Sequence, residues 1–197
     1  MILRLYIIFL FILFPYKSYA ETTLRMANWL PPTHPWVLDI MIPWIKNVYE
    51  ASEGRVKIVL LEAPIGPPPA HFNFAVKGIA DITYGVHNYT AGRFTSTQIT
   101  ELPFLSKSSE ILSVAWQRIY QRELLSLEEH KGTHLLGVYT HGPGQLWLNK
   151  KYTTLESIQG LKIRIGGGIA QSSAKALGLV PLQAPVTKAY ELLSGGV

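Results

Sequence analysis

The residues able to do chemistry in this chain are few, and they fall short of any complete catalytic set. There are six histidines, His34, His71, His87, His130, His134 and His141. None belongs to an H-E-x-x-H pair, which would place two imidazoles on one helical face for a metal. His130 and His134 are separated by Lys131-Gly132-Thr133, which reads as a turn, so no shared face is expected. Neither a G-x-S-x-G nucleophile elbow nor a G-x-x-x-x-G-K-[ST] phosphate loop occurs. With no cysteine, thiol catalysis, zinc–thiolate sites, iron–sulfur clusters and disulfides are excluded. Glu123, Glu128 and Glu129 have basic neighbours and read as a solvated face rather than a catalytic carboxylate pair.

Binding chemistry is better represented. Arg164 lies in Leu161-Lys162-Ile163-Arg164-Ile165, where period-2 alternation puts Lys162 and Arg164 on one face and the aliphatics on the other. A cation at the end of a strand, before a glycine turn, lies where open α/β sheets hold ligands. A guanidinium pairs with a carboxylate through two parallel hydrogen bonds. The competing reading is a surface arginine on an edge strand. Gly166-Gly167-Gly168 sits between that strand and a helix. It is either an anion cradle at a helix N-terminus or simply a tight strand-to-helix turn. Aromatics with polar tips gather in turns, at Trp29, His34, Trp36, His87, Tyr89 and His141. Those at strand ends (Trp29, His87, Tyr89 and His141) are the better pocket candidates.

The elements that must position these groups alternate. Strands are predicted at 23–28, 56–61, 82–86, 134–139, 145–149, 161–165 and 180–183. Helices are predicted at 36–53, kinked by Pro43 and ended by Gly54, at 70–77, at 108–127 with Ser108 or Ser109 as cap, after Gly168 to Leu177, and from Thr187 on. A single helical turn is predicted at 154–158. Strand–helix alternation implies an α/β fold with a largely parallel sheet. The first twenty residues read as a secretory signal peptide: Arg4, ten apolar residues from Leu5 to Phe14, Pro15, and Ser18-Tyr19-Ala20 before a cut at Glu21. Ten apolar residues are too few for a bilayer span of about 20. The remaining 177 residues suffice for a packed core. The net charge of +5 falls to +3 without Arg4 and Lys17. That balance, with no Lys/Arg run, gives no reason to expect a nucleic-acid partner. No cofactor is implied.

In order along the chain, Gly54-Arg55-Val56, Gly78-Ile79-Ala80-Asp81-Ile82, Glu101-Leu102-Pro103-Phe104-Leu105, Leu155-Glu156-Ser157-Ile158-Gln159-Gly160-Leu161-Lys162-Ile163-Arg164, Ala176-Leu177-Gly178 and Tyr190-Glu191-Leu192-Leu193 form a recognisable series. In this series the chain resembles the DctP-like solute-binding proteins of tripartite ATP-independent periplasmic (TRAP) transporters. The resemblance implies a periplasmic binding protein-like fold of two α/β lobes with the ligand in the cleft between them. Here it implies a first lobe at 21–139 and the start of a second at 140–197, C-terminally truncated against a family of more than 300 residues. It implies no enzyme. It implies periplasmic capture of a small organic carboxylate, with closure of the lobes, for a membrane permease driven by a sodium gradient. Independently of the resemblance, the chain is expected to act as a monomer. Arg164 matches the family's carboxylate-binding arginine. Asn28, Trp29, Val86, His87, Tyr89, the turn His141 to Gln145 (with Gly144) and Val186 match other ligand positions. Many sialic-acid and C4-dicarboxylate binders carry a second arginine where this chain has Gly144, which favours a monocarboxylate, with an apolar or aromatic body suited to Trp29, His87, Tyr89 and Val186. The rivals are a same-fold secreted sensor, a hydrolase or lyase on an α/β scaffold, and a nonfunctional fragment.

Overall fold

Residues 20–197 are described by a computed structural model. The predicted signal peptide lies, but for Ala20, outside the described residues. The chain divides into two units, each with its own packing.

The first unit takes in residues 20–26 and 30–62. Strand β1 (Thr22–Met26) pairs in parallel with β2 (Val56–Leu60), in a register running from Thr22 opposite Val56 to Met26 opposite Leu60. The crossover between them begins as a π-helical turn, Trp36–Met41, and continues as α1 (Ile42–Ala51). This is where Pro43 acts. Proline has no N–H to donate and its ring crowds the preceding turn. The chain accommodates it by a wide turn, in which the Ile42 N–H reaches back to the Val37 carbonyl, and by starting the α-helix with proline at its N-terminal end. Gly54, at φ +76°, then turns the chain into β2. Met26, Leu30, Val37, Met41 and Ile58 are buried.

The second unit takes in 27–29 and 63–197. Its helices are α2 (His71–Val76), α3 (Ser109–Ile119), α4 (Ile169–Ala176) and α5 (Ala189–Ser194). Ser108 caps α3: its Oγ accepts the Ile111 N–H at 3.2 Å. The helix continues as a π turn over Tyr120–Leu124 and a 3-10 turn over Leu125–Leu127, and Glu128 stops it at φ +51°. Trp116 and Tyr120 pack on Val138, with Leu124 and Leu135 beside them. Strands β3 (Lys162–Ile165) and β4 (Val180–Gln183) pair in parallel, with Arg164 opposite Leu182. They share a core of Ile158, Ile165, Ala174 and Leu179 with α4.

Three predicted strands do not form as such. Of 82–86 only Ile82 makes a bridge, its carbonyl accepting the Ala27 N–H at 2.9 Å. Segment 134–139 lies against α3 rather than in a sheet. The Val138 N–H goes to Gln117 Oε1 at 2.7 Å and, just beyond, the Thr140 N–H to Ser113 Oγ at 2.9 Å. Segment 145–149 is exposed and unpaired, with Trp147 83% accessible. A β-pattern becomes a strand only where a second backbone satisfies its N–H and C=O groups, and among the described residues only the bridge at Ile82 does so in these three segments. Glu129 also departs from the expected solvated face. It is buried, and its carboxylate accepts from the Ser96 N–H at 2.8 Å, the Ser96 hydroxyl at 2.5 Å and the Thr95 hydroxyl at 3.1 Å.

Two substitutions test this packing. Trp116→Ala removes the largest side chain of the α3 cluster and should cost about 3–5 kcal/mol. Ser108→Ala removes only a cap and should cost about 1 kcal/mol. Urea denaturation midpoints would rank them.

Candidate functional site

The arginine singled out from strand alternation is held by atoms that alternation does not reveal. Arg164 is half-buried at the C-terminal end of β3. Its Nε donates to the Ala184 carbonyl at 2.7 Å, and its Nη2 to the Tyr89 hydroxyl at 3.1 Å. Among the described residues, the rest of the guanidinium fork meets no acceptor and no Asp or Glu lies in ion-pair range of it. This is a partly desolvated cation with no counter-charge, an arrangement that costs free energy until an anion meets it.

Tyr89 is the second half of the arrangement. Its oxygen accepts from Arg164 and also from the Val186 N–H at 2.9 Å. A phenol oxygen has two acceptor positions and one proton to give. With both acceptor positions taken, the proton remains available to an incoming oxygen. The Tyr89 ring stands 6.5 Å from that of Trp29, which stacks on Tyr84 at 5.1 Å. Trp29 Nε1 donates to the Tyr84 carbonyl at 3.4 Å, and the Tyr84 hydroxyl donates to Asn28 Oδ1 at 2.9 Å. Arg164, Tyr89, Trp29, Asn28 and Val186 therefore form one connected group. Tyr84 and Ala184 belong to it and carry no signature by which sequence could have picked them out.

Other candidates lie elsewhere. His87 shares the 3-10 turn His87–Tyr89 but faces a different set. Its Nδ1 is 2.6 Å from the Thr97 hydroxyl, its Nε2 is 3.1 Å from His130 Nε2, and its ring stacks on Phe94 at 4.2 Å. His130 Nδ1 is in turn 2.7 Å from the Tyr120 hydroxyl. His141, Gly144 and Gln145 are exposed, and the space around Gly144 is open. His141 Nδ1 lies 2.7 Å from the Gly142 carbonyl. A shallow depression lined by Arg93, Thr95, Leu127, Glu128, Glu129 and Lys131 shares no residue with the Arg164 group. Among the described residues, no cluster of His, Asp and Glu is arranged to hold a metal.

The glycine turn settles between its two readings. The N-terminus of α4 does receive an anion, but it is a side chain of this chain. Glu101 Oε2 accepts the Ile169 N–H at 3.0 Å, and Glu101 Oε1 takes a hydrogen bond from Asn88 Nδ2. Burial raises the Glu101 carboxyl above its ordinary range, against the lowering effects of Asn88, Ile169 and His141.

Comparison with known proteins places the chain. Residues 26–197 match the family model of bacterial extracellular solute-binding protein, family 7 (DctP), and the chain belongs to that family. Its characterised members of known structure are solute-binding receptors, not enzymes. A TRAP periplasmic solute-binding protein from Bordetella bronchiseptica, solved with bound (R)-mandelate and (S)-mandelate, is 41% identical with a TM-score of 0.85, the match covering 89% of this chain and 56% of that one. A TRAP solute-binding protein from Rhodoferax ferrireducens T118, in complex with copurified benzoate, is 27% identical with a TM-score of 0.80, over 89% and 55% of the two chains. A Comamonas testosteroni protein named outer membrane transporter protein TsaT is 26% identical over 92% of this chain and 54% of its own length. The fold is thus that of the two-lobed periplasmic binding proteins, and the chain spans about half the length of these relatives. No helix among the described residues is long and apolar enough to cross a membrane.

The histidine chain gives a pH prediction. Burial, and then the neighbouring His130, lower the His87 pKa to about 4, while Glu129 acts in the opposite sense. His87 is therefore neutral in the folded chain at pH 6.5, and unfolding lets it bind a proton as pH falls. Its contribution to stability is complete above about pH 6.5 and is lost progressively toward about pH 4. The melting midpoint should decline across that window, and less steeply in His87→Asn. Scanning calorimetry at stepped pH would measure the difference in slope.

Proposed function

We propose that the chain captures a small monocarboxylate with an aromatic or similarly apolar body, in a cleft between a lobe formed by 21–139 and one begun by 140–197. The observation that carries this reading is the Arg164 guanidinium, which no carboxylate among the described residues meets, beside a tyrosine whose proton is still free to donate. Two converging donors with a positive charge suit a carboxylate, since charge-assisted hydrogen bonds are roughly twice as strong as neutral ones. The half-buried ring of Tyr89, backed by the buried Trp29, offers the adjoining apolar surface. A second carboxylate would need a second cation, and the turn at Gly142-Pro143-Gly144 supplies none. Mandelate and benzoate, held by the two solved relatives named above, are both monocarboxylates built on a benzene ring, which supports the same choice.

The wider setting is inferred from the family. The chain is exported by the segment 1–20, acts in the periplasm as a monomer, and hands its ligand to TRAP permease subunits in the membrane that run on a sodium gradient. His87, His141, Gly144 and Gln145 keep their place in this proposal as residues bordering the cleft, outside the Arg164 group itself.

Titration calorimetry with benzoate, mandelate and succinate tests the ligand. Benzoate or mandelate should bind, with succinate at least about tenfold weaker. Arg164→Ala should weaken binding about a hundredfold or more, because it removes paired charge-assisted bonds. Tyr89→Phe should weaken it about tenfold, because it removes one donor and loosens the arginine. Tighter binding of succinate than of either aromatic acid would overturn the monocarboxylate reading. Full affinity in Arg164→Ala would overturn the site.

A further inference from the structure

The turn that carries Tyr89 is tied to the strand and helix that carry Arg164 by more than the tyrosine. Asn88, the residue before it, donates from Nδ2 to Glu101 Oε1, and its backbone carbonyl accepts from Gln183 Nε2 at 3.2 Å. Glu101 Oε2 accepts the Ile169 N–H. Gly168, the N-cap residue of α4, has no side chain with which to cap its own helix. The missing local acceptor is replaced by a carboxylate 68 residues away, at the helix end where partial positive charge favours an anion.

The glycines show how close this approach is. A Cβ on Gly168 would come within 2.5 Å of Glu101 Oε2 and 2.6 Å of Asn88 Nδ2, and one on Gly167 within 2.7 Å of Gln183 Nε2. Both glycines have positive φ, at +62° and +115°. The turn therefore has its shape and its lack of side chains where the 88–101 segment presses against it. None of these atoms belongs to the Arg164 group, yet they join the residue before Tyr89 to β4, the partner strand of β3, and to the start of α4.

We propose that Glu101 is a latch on this site: by capping α4 and gripping Asn88 it holds the Tyr89 turn against the Arg164 strand, and so sets how long a bound carboxylate stays. Glu101 is a positioning residue in this scheme and does not touch the ligand. The proposal rests on the carboxylate-binding reading above, but part of its test needs no ligand.

The test uses the whole chain and Glu101→Ala, with Glu101→Gln as the conservative variant. Stopped-flow displacement of benzoate should show dissociation about tenfold faster in Glu101→Ala, with the association rate changed far less and Glu101→Gln intermediate. In the ligand-free chain, amide hydrogen exchange should rise together at Ile169–Gln171 and at His87–Tyr89 in Glu101→Ala. An unchanged dissociation rate in Glu101→Ala, from a parent that binds benzoate, overturns the latch and leaves the carboxylate reading intact. Faster exchange confined to the start of α4 also overturns it, since Glu101 would then be a helix cap only. A parent chain that binds no carboxylate overturns the functional reading, and the exchange arm then decides by itself whether Glu101 couples the two segments.

Discussion

A guanidinium taken partly out of water and left without an anion is the constraint around which the second unit is arranged. Arg164 cannot move far. Its strand is fixed by pairing with β4, its Nε by the Ala184 carbonyl, and its Nη2 by Tyr89. With two of its nitrogens held in this way, the entropy of ordering a long side chain is lost on folding. A lysine at this position would keep the charge but could not use one nitrogen to anchor itself while others point elsewhere.

Tyr89 joins two requirements in one oxygen. By accepting from both Arg164 and the Val186 N–H it orients the cation and satisfies a backbone donor just past β4. This dependence makes the 87–89 turn the sensitive part of the site. His87 roots the turn on one side, in a chain of close contacts through His130 to Tyr120, and Asn88 roots it on the other, at Glu101 and Gln183. Three consecutive side chains thus point to three different partners, and the middle and outer ones hold still the one that faces the arginine.

The polar interior is satisfied unevenly. Glu129 is buried, but burial's upward push on its carboxyl is outweighed by hydrogen bonds from Ser96 and Thr95, and it sits below its ordinary range. Tyr120, buried beside it, is pushed up to about 12. His71 is fully buried, and its ring nitrogens meet no partner in good geometry, although the Gly66 backbone is near enough to oppose the lowering of its pKa by burial. These groups lie in 63–139, where aromatic packing around Phe72, Phe94 and His130 takes the place of a sheet.

Strand–helix alternation, the Ser108 cap, the disturbance at Pro43, the glycine stops and the placing of Arg164 opposite the aliphatic face of β3 were all legible in the residues, because each depends on neighbours a few positions away. The family series made the α/β binding-protein fold legible too. The unpaired segments 134–139 and 145–149 were not, since a β-pattern says nothing about whether another backbone will come alongside. Nor were the burial of Glu129, the turning of His87 toward Thr97 and His130, or the roles of Tyr84, Glu101 and Ala184. Sequence by itself determined that an arginine would stand near the end of β3, on the face away from its aliphatic residues. Tertiary structure alone decided which groups would hold it, because its partner at Tyr89, like that turn's tie to α4 through Glu101, joins residues 75 and 68 positions apart, and only packing brings such groups within hydrogen-bonding reach.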